Sequence, residues 1–515
     1  MKTLMADDPG KITEFRSASL SPTNSNVNLN TFVTFKEEAF TVEDKVDTVA
    51  AITDSNFATP NSKDSTNPRE WPRSKKWQAV VMAALYTFIS PISSSMVAPA
   101  LSEMAIELGL ETDFMVDMTL SIFILAYAFG PLILAPLSEV YGRYKVLQGS
   151  LWFFIIFNLA CGFAKNPVEI YVFRFLAGLG GSAPIAISGS VIADLFELSE
   201  MGTAMAYYSL GLTLGPAIGP IIGGAITQGA NWHWLFYSIS IAAAILGIFG
   251  IFLLPETFRP YLESRNQTAA ALKNSNQISH QPEPNAANVI RIAVVRPFIM
   301  LGTQPIAQAI ALLMAFVYGI MYLVLSTYSA LFTSNYAEAT FTSTLHYIAL
   351  GLGFLAGNIL AGRTVDFTSI YLQKRYNTEH MPEYRLPVCI PATIMLPIGL
   401  LIYGWAAEHN WHWTIVDIGI AIFGCAVNIL MQTLTVYTVD VYTLYSASAL
   451  AAVGSLRSLA GFGFPLFSEI MYAKYGYGWG NSILALFGLF IGVPSISLLY
   501  VYGARIRSKS KFASG

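Results

Sequence analysis

Apolar runs of membrane-spanning length, separated by short polar links, make up most of this chain. A run of about 20 apolar residues matches the roughly 30 Å hydrocarbon core of a bilayer. In lipid every backbone amide must be hydrogen-bonded within its own segment, so each run predicts a helix. Twelve spans are predicted: Gln78–Ala100, Asp117–Leu137, Val146–Ala164, Val168–Ala193, Thr203–Ile226, His233–Leu254, Gly302–Leu331, Phe341–Gly362, Pro387–Ala407, Trp413–Tyr437, Ala447–Met471 and Asn481–Gly503.

The polar segments divide the spans into two groups of six. A stretch at 256–297 separates residues 71–255 from residues 298–503. A tail at 1–70, rich in Ser, Thr, Asn and Asp, is predicted to be disordered, and a short tail at 504–515 ends the chain. The predicted fold is therefore an all-α membrane protein with twelve transmembrane helices in two six-helix bundles joined by a linker.

Positive charge gives the predicted orientation. Nearly all the Lys and Arg residues of the links lie on one side of the predicted membrane, and Arg143, Lys145 and Arg385 are among them. The other side holds only Lys165 and Lys474. Cytoplasmic loops carry such an excess, so this side and both chain termini are predicted to be cytoplasmic.

The composition argues against several classes of protein. Charged residues are 12% of the chain, against about 25% in an average soluble domain, and a net charge of −3 offers nothing to nucleic acid. Cys161, Cys389 and Cys425 lack the spacing of metal ligands, so no metal or cofactor is predicted. The sequence shows no nucleophile–base pair and no nucleotide-binding loop, which argues against an enzyme and against ATP as the energy source.

The link between the second and third predicted spans reads Ala-Pro-Leu-Ser-Glu-Val-Tyr-Gly-Arg-Tyr-Lys over 135–145. Gly142 permits a tight turn. Glu139 is predicted to reach the N-terminus of a neighbouring helix, where the helix dipole favours an anion. Together with Arg143 and Lys145 it would form a latch that holds one conformation and breaks in another. The alternative is a solvated loop whose charges only set the topology.

Arg174 lies inside the apolar run of the fourth predicted span. A cation at membrane depth costs about 3 kcal/mol or more unless it is paired or hydrated. Arg174 is therefore predicted to face a partner or a water-filled cavity. The alternative is that its side chain snorkels to the nearby outer surface.

The fifth predicted span contains a run of paired Gly and Pro steps at 211–224. Glycines at 211, 215 and 219 recur every four residues and are predicted to share one helix face, and each proline removes a backbone hydrogen bond and bends the helix. Tight packing alone explains the glycines but not the Gly-Pro pairs. The residues of this motif are Gly211, Gly215, Pro216, Gly219, Pro220, Gly223 and Gly224.

These segments resemble the major facilitator superfamily, specifically its twelve-span fungal drug:proton antiporters. The link at 135–145 is similar to the family signature between spans two and three, the run at 174–181 to the fourth-span motif, and the run at 211–224 to the fifth-span antiporter motif. Asn-Pro-Arg-Glu-Trp-Pro at 67–72 and Leu-Pro-Glu-Thr at 254–257 resemble the fungal subgroup. The chain departs from the general pattern at Ala135 and Glu139, where the family commonly has Gly and Asp.

The resemblance implies a proton-coupled antiporter that exports lipophilic drugs, toxins or secondary metabolites by alternating access. It places Arg174 near the proton-coupling machinery and gives Glu139 and Arg143 a gating role on the cytoplasmic side. The fifth-span motif would bend its helix and seal the cavity against leak. The expected partners are a small-molecule substrate, protons and the lipid bilayer, with a functional monomer in the plasma membrane rather than the vacuolar membrane.

The sequence does not single out one group that takes the proton. Asp440, Glu469, Asp417 and His346 lie within or at the ends of predicted spans, where burial shifts protonation equilibria. Asp440 is ranked first and is predicted to pair with Arg457 in the next span. A purely structural ion pair is an equally good interpretation.

A substrate cavity is predicted from polar and aromatic residues inside the apolar runs. Gln304 and Gln308 are one turn apart and are predicted to share a face. A pocket of aromatic walls with scattered hydrogen-bonding groups suits bulky, weakly polar ligands. The predicted lining residues are Tyr86, Ser90, Gln304, Gln308, Tyr318, Tyr322, Asn358 and Asn428.

Two other kinds of transport stay open at this point. A proton-coupled importer of a nutrient is disfavoured by the Gly-Pro motif, which resembles exporters. A polyamine transporter is disfavoured because the spans show no ring of buried acids. A membrane sensor would need a signalling tail, and neither terminus shows the pattern of a folded domain.

Overall fold

A computed structural model describes residues 67–196, 201–263, 286–377, 381–443, 445–510 and 512, and the regular elements within these ranges are all helical. The predicted all-α class is confirmed. The α-helices are α1 (Arg73–Ser95), α2 (Leu101–Leu108), α3 (Asp113–Tyr141), α4 (Arg143–Cys161), α5 (Pro167–Leu195), α6 (Met201–Gly229), α7 (His233–Leu253), α8 (Ala286–Thr303), α9 (Pro305–Asn335), α10 (Thr340–Leu345), α11 (Tyr347–Tyr376), α12 (Cys389–Glu408), α13 (Trp413–Val441), α14 (Ser446–Gly463) and α15 (Ser468–Arg507). Short 3₁₀ helices lie at Pro68–Glu70, Ala98–Ala100, Pro382–Val388 and Pro465–Phe467.

Eleven segments of the described residues are long and apolar enough to cross a membrane. The last of them, 446–507, contains α14 and α15 and is 62 residues long. At 1.5 Å per residue it would extend roughly 90 Å, about three times the thickness of the hydrocarbon core. It includes both of the last two predicted spans, and Gly476 interrupts α15 with a φ of 70°. The count of twelve stays a prediction.

Local sequence signals define several helix ends. The Thr112 hydroxyl caps α3 by accepting a hydrogen bond from the backbone N–H of Met115. Asn166 caps α5 through the backbone N–H of Glu169, and the Glu169 carboxylate accepts from the Asn166 side chain in return. Gly142 ends α3 at a φ of 93°, which lets α4 begin at the next residue.

The long helices pack into two bundles that meet along two seams. In the first bundle α3 packs on α5, α1 on α6, and α4 on α5 and α7. In the second bundle α12 packs on α13 and α15, α11 on α13, and α9 on α14. The bundles contact each other where α3 meets α14 and where α6 meets α10 and α11. The central part of the molecule is therefore bounded by helices of both bundles.

The two ends of the bundles differ in charge and are named here accordingly. The basic end is the set of helix ends around Arg143, Arg385 and Arg507. The far end is the opposite set, around Trp232 and His346. Arginines at the basic end form ion pairs, such as Arg507 with Glu383 at 3.3 Å.

The predicted domain boundaries and the structure differ at the linker. Residues 264–285 of the predicted linker and 1–66 of the predicted tail lie outside the described residues. Helix α8 crosses the predicted boundary between 297 and 298, so the end of the linker is helical. Helix α8 packs on α3 and α14, and these tertiary contacts stabilise it. Its two arginines and Pro297 interrupt the apolar pattern, so the sequence alone did not predict a helix here. At the end of the chain α15 continues to Arg507, past the predicted boundary at 503.

Candidate functional site

A glutamate from the segment after α7 occupies the N-terminus of α4 at the basic end. The Glu256 carboxylate accepts hydrogen bonds from the backbone N–H groups of Arg143 at 2.9 Å and Tyr144 at 3.1 Å. An anion at this place is stabilised by the helix dipole. Gly142 lies directly beside it, and a Cβ there would collide with the Glu256 carboxylate. The turn between α3 and α4 therefore requires glycine for space as well as for its positive φ.

The predicted contact of Glu139 with a helix N-terminus is wrong. The Glu139 side chain is half exposed and lies 3.9 Å from Arg143, and Glu256 holds the place predicted for it. Side chains on a helix tilt toward its N-terminus, so Glu139 points back along α3 and away from the turn. Lys145 lies over the ring of Tyr261 at 5.1 Å and contributes a cation to the same region.

Arg143 connects three segments at the basic end. Its side chain is almost completely buried. Nη1 donates to the Ser138 hydroxyl at 2.6 Å, Nε lies 3.4 Å from the Asp194 carboxylate at the end of α5, and the guanidinium lies over the Phe258 ring at 4.8 Å. The Thr257 hydroxyl also donates to Asp194. We name Arg143, Asp194 and Glu256 the basic-end latch.

We expect Glu256→Gln to lower the transport rate by about tenfold. The substitution keeps the side-chain volume but removes the charge that accepts two backbone hydrogen bonds, and one charge-assisted hydrogen bond contributes about 1.5–3 kcal/mol. The measurement is the initial rate of substrate transport per molecule at the cell surface. Glu139→Gln is the matched control and should keep the wild-type rate. Equal rates in both variants would show that the latch is dispensable.

Arg174 is completely buried between α1 and α3. Its guanidinium donates to the backbone carbonyl of Ser93 at 2.9 Å, of Ser94 at 3.3 Å and of Thr119 at 3.2 Å, and lies 4.7 Å from the centre of the Phe123 ring. The carbonyls of Ser93 and Ser94 end α1, where the helix dipole favours a cation. This burial rules out the snorkelling alternative. Arg174 joins the end of α1 to α3 through backbone carbonyls.

One face of α6 lies against α1 and consists of Gly211, Gly215, Gly219 and Gly223. A Cβ at Gly215 would lie 2.6 Å from the Cβ of Pro91, and one at Gly219 would lie 2.8 Å from the carbonyl oxygen of Ile92. Real Cβ atoms do not approach other atoms so closely, so the contact depends on glycine. Small residues of this kind let two membrane helices pack backbone to backbone.

The last glycine of the motif faces the other bundle. A Cβ at Gly224 would collide with the Thr344 side chain on α10, which belongs to the second bundle. This contact lies at the far end, where it closes the seam between α6 and α10. Pro216 and Pro220 lie within α6, which the structure shows as one continuous helix. The motif therefore packs α1 on one face and the far-end seam on another.

A group of polar side chains lies at mid-depth between the bundles. We name as the central cluster Ser90, Ser94, Tyr127, Tyr318, Tyr322 and Arg457. The hydroxyl oxygens of Ser94 and Tyr322 lie 3.2 Å apart and join α1 to α9 across the interface. The Arg457 guanidinium lies 4.8 Å from the centre of the Tyr318 ring. Nε of Arg457 is buried and has no hydrogen-bond partner among the described residues.

Further contacts across the interface lie near the central cluster. The Ser455 hydroxyl of α14 donates to the carbonyl of Ala128 on α3 at 2.8 Å. The Asn358 amide of α11 lies 3.5 Å from the Thr213 hydroxyl of α6. The contact between Asn358 and Thr213 joins polar side chains of opposite bundles.

The predicted pair of Asp440 and Arg457 is wrong. Asp440 instead forms an ion pair with Arg385 at 2.5 Å, and Arg385 also contacts Asp366 at 2.6 Å. Both contacts lie at the basic end. Arg457 lies about 16 Å further along α14 at 1.5 Å per residue, too deep to reach Asp440. Asp440 therefore belongs to an ion-pair group at the basic end rather than to the centre.

Four of the predicted cavity residues, Tyr86, Gln304, Gln308 and Asn428, lie elsewhere. Tyr86 is fully buried inside the first bundle, where its hydroxyl donates to the Gln148 side chain at 2.8 Å. Gln304 lies at the basic end and accepts a hydrogen bond from the Ser510 hydroxyl. Gln308 is exposed, and its amide donates to a backbone carbonyl of α8. Within the described part of the chain, the side-chain hydrogen bonds of Tyr86, Gln304 and Gln308 do not involve the central cluster.

The helix start explains the error for the two glutamines. Helix α9 begins at Pro305, and Gln304 is extended, with φ −106° and ψ 104°, so Gln304 and Gln308 do not share a helix face. Asn428 packs against Gly357 of α11 inside the second bundle. Ser90, Tyr318, Tyr322 and Asn358 are the predicted cavity residues that lie between the bundles or at the central cluster.

The sequence pattern predicts no role for Tyr127, Asp194 or Glu256. Glu256 belongs to the Leu-Pro-Glu-Thr stretch after the sixth predicted span, and a carboxylate so close to a span end is the signal that would have found it. Asp194 ends an apolar run in the same way. Tyr127 stands in an apolar run without any distinguishing pattern, and only the fold shows its contact with Ser90 at 2.5 Å.

Comparison with known proteins decides the family. The Major Facilitator Superfamily model matches residues 83–465, which is most of the chain. The chain belongs to the major facilitator superfamily. The efflux pump vrtL of Penicillium aethiopicum is 40% identical over 88% of this chain and 90% of its own length. The efflux pump radE of Floropilus chiversii is 37% identical over 87% of this chain and 84% of its own length.

Solved structures show the same fold for this major facilitator. The proton:xylose symporter XylE superposes with a TM-score of 0.62 at 15% sequence identity, covering 84% of this chain and 96% of XylE. The human organic anion transporter MFSD10 superposes with a TM-score of 0.55 at 14% identity, covering 82% of this chain and all of MFSD10. The protein is thus a multi-pass membrane transporter of small molecules and not an enzyme.

Proposed function

We propose that this major facilitator exports lipophilic small molecules in exchange for protons by alternating access. The observation that carries the proposal is the central cluster, a set of tyrosine and serine hydroxyls and one guanidinium at the contact of two bundles. A ligand bound there would be exposed to one side or the other as the bundles rock about it. The direction of transport is supported by relatives named efflux pumps.

The chemistry of the cluster indicates the kind of substrate. Tyr127, Tyr318 and Tyr322 supply aromatic surface with hydroxyl groups at its edge. Nε of Arg457, for which the described residues provide no hydrogen-bond partner, would donate to a carbonyl, phenolate or carboxylate oxygen of the ligand. A polycation would be repelled by Arg457, which disfavours the polyamine alternative. A bulky, lipophilic, neutral or anionic compound fits best.

The two ends of the molecule would act as gates. Because the excess of Lys and Arg favours a cytoplasmic location, we propose that the basic end faces the cytoplasm, where the latch of Arg143, Asp194 and Glu256 would close the pathway inside. The contact of Gly224 with Thr344 would then close it outside. We place the transporter in the plasma membrane as a functional monomer, where export across one bilayer removes the substrate from the cell.

Accumulation in drug-sensitive yeast tests the proposal. Cells with and without the protein are loaded with a panel of fluorescent lipophilic compounds or a labelled polyamine, before and after a protonophore is added. The expected result is lower accumulation of a lipophilic compound, reversed by the protonophore. Higher accumulation would favour the importer alternative, and export that the protonophore leaves unchanged would contradict proton coupling.

A further inference from the structure

A histidine held between two carboxylates joins α10 to α11 at the far end. Nδ1 of His346 lies 3.0 and 2.9 Å from the two carboxylate oxygens of Asp417, and Nε2 lies 3.1 Å from Oε2 of Glu338. The Tyr328 hydroxyl donates to Asp417 at 2.7 Å. The ring of Phe332 stacks on the imidazole with 3.7 Å between centroids. We name His346, Glu338 and Asp417 the histidine clamp.

The histidine clamp needs a proton to complete its hydrogen bonds. Ionised carboxylates accept hydrogen bonds but donate none, and a neutral imidazole carries only one N–H. Both contacts of His346 are satisfied only when the ring is an imidazolium or when one carboxyl group holds the proton. The Phe332 face favours the cationic ring. A metal ion is not suited, because the two carboxylates lie at opposite nitrogens of the ring and do not converge on one point.

The surroundings of the clamp leave it open to protons from the far end. The side chains of Glu338 and Asp417 are 20% and 16% exposed, whereas that of His346 is 9% exposed. Among the described residues, the other titratable groups beside it are Tyr328 of α9 and Tyr336, whose hydroxyl donates to the carbonyl of Trp411. Neither tyrosine supplies a counter-charge to the two carboxylates at neutral pH, so the imidazolium is their cation.

The histidine clamp also positions the far-end seam. His346 directly follows α10, and Thr344 of α10 fills the space beside Gly224 of α6. The hydroxyls of Ser343 and Ser329 lie 2.9 Å apart and add a second tie between α10 and α9. A change in the position of His346 therefore shifts Thr344, two residues earlier in the chain, and with it the contact between α10 and α6.

We infer that His346, Glu338 and Asp417 form a proton-binding site that fastens the far-end gate. The inference rests on the proposed function for the outward orientation of that gate and for the proton as coupling ion. With the proton bound, the imidazolium donates one N–H to each carboxylate and offsets one of their two negative charges, so α10 is held on α6. Without it, one contact loses its hydrogen and the carboxylates repel, so α10 is released. The gate is fastened at low external pH and released as pH rises, which fits an exchanger that closes outside after taking up a proton.

The test measures exposure of the seam and requires no substrate. Thr344→Cys is labelled in intact cells with a membrane-impermeant thiol reagent, from about pH 5 to about pH 8, the interval in which histidine changes charge. Ser334→Cys, at an exposed position, is labelled in parallel to correct for the effect of pH on the ionisation of the thiol itself. The native cysteines are buried. We expect the corrected labelling rate to rise roughly tenfold with pH, as for the loss of one charge-assisted hydrogen bond.

Variants of the clamp give opposite expectations. Added to Thr344→Cys, His346→Gln should give fast labelling at every pH, and His346→Arg should give slow labelling at every pH because the cation cannot be lost. His409→Gln, which changes an exposed histidine at the same end, should behave like the parent. A pH dependence that persists in His346→Gln overturns the inference, and so does an absence of labelling in all proteins. Failure of proton-driven export in yeast would instead contradict the proposed function, because the labelling involves no transport.

Discussion

Arg174→Ala is expected to abolish transport while the protein still reaches the membrane. The guanidinium is the donor to backbone carbonyls at the end of α1 and in α3, and each buried acceptor left without a partner costs about 1–3 kcal/mol. Ser94, one of these residues, also carries the hydroxyl that meets Tyr322 across the bundles. Loss of Arg174 would therefore displace a contact of the central cluster. Export of a fluorescent substrate falls to the level of cells without the transporter.

Two further variants separate charge from geometry at this site. Arg174→Lys keeps the charge but has a single ammonium instead of a planar fork, so it cannot bond α1 and α3 at once and should restore only a small part of the activity. Lys165→Ala removes an exposed cation just before the same helix and should leave transport unchanged. Surface fluorescence of a tagged protein measures insertion. Wild-type transport by Arg174→Ala would show that Arg174 has no part in the pathway.

Gly224→Val is expected to uncouple the transporter by keeping the far-end seam open. A Cβ at this position already collides with the side chain of Thr344, and valine adds two methyl groups to the same contact. The bundles would then fail to close outside. Net export should fall close to background, and protons should enter faster. The measurement is the rate of cytoplasmic acidification after external acid is added to cells expressing each variant.

The same helix offers a matched control for this prediction. Gly229 has no atom within 4 Å of the Cβ position, so Gly229→Val should keep wild-type export and proton permeability. Gly224→Ala should impair closure, and the double variant Gly224→Ala, Thr344→Gly should recover it because the space lost on one helix is returned on the other. A double variant no better than Gly224→Ala would place the defect within α6 rather than at the seam.

The sequence predicted the helices well because lipid leaves the backbone few alternatives. Apolar length alone is sufficient to place a helix in each run, and the spacing of Gly211, Gly215 and Gly219 was sufficient to predict one packed face. Helix ends were less determined. The start of α9 at Pro305 rather than near Gly302 changed the environment of Gln304.

Side-chain partners were the part that the sequence did not determine. Asp440 pairs with Arg385, far earlier in the chain, and the choice between Arg385 and Arg457 depends on how deep each arginine lies along its helix. Glu256 replaced Glu139 at the N-terminus of α4 because the direction of a helical side chain decides what it reaches. His346 and Asp417 were recognised as titratable, but only the packing of α10, α11 and α13 brings them together.

Transport by the purified protein in liposomes tests the central claim most directly. Liposomes with an acidic lumen are diluted into neutral buffer without ATP, and uptake of a lipophilic substrate identified in the yeast panel is followed. Proton–substrate exchange predicts that the substrate accumulates in the lumen as protons leave, and that a protonophore releases it. Arg174→Ala liposomes should show no accumulation. Uptake that is independent of the pH gradient, or that occurs only when the gradient is reversed, would contradict proton-driven export.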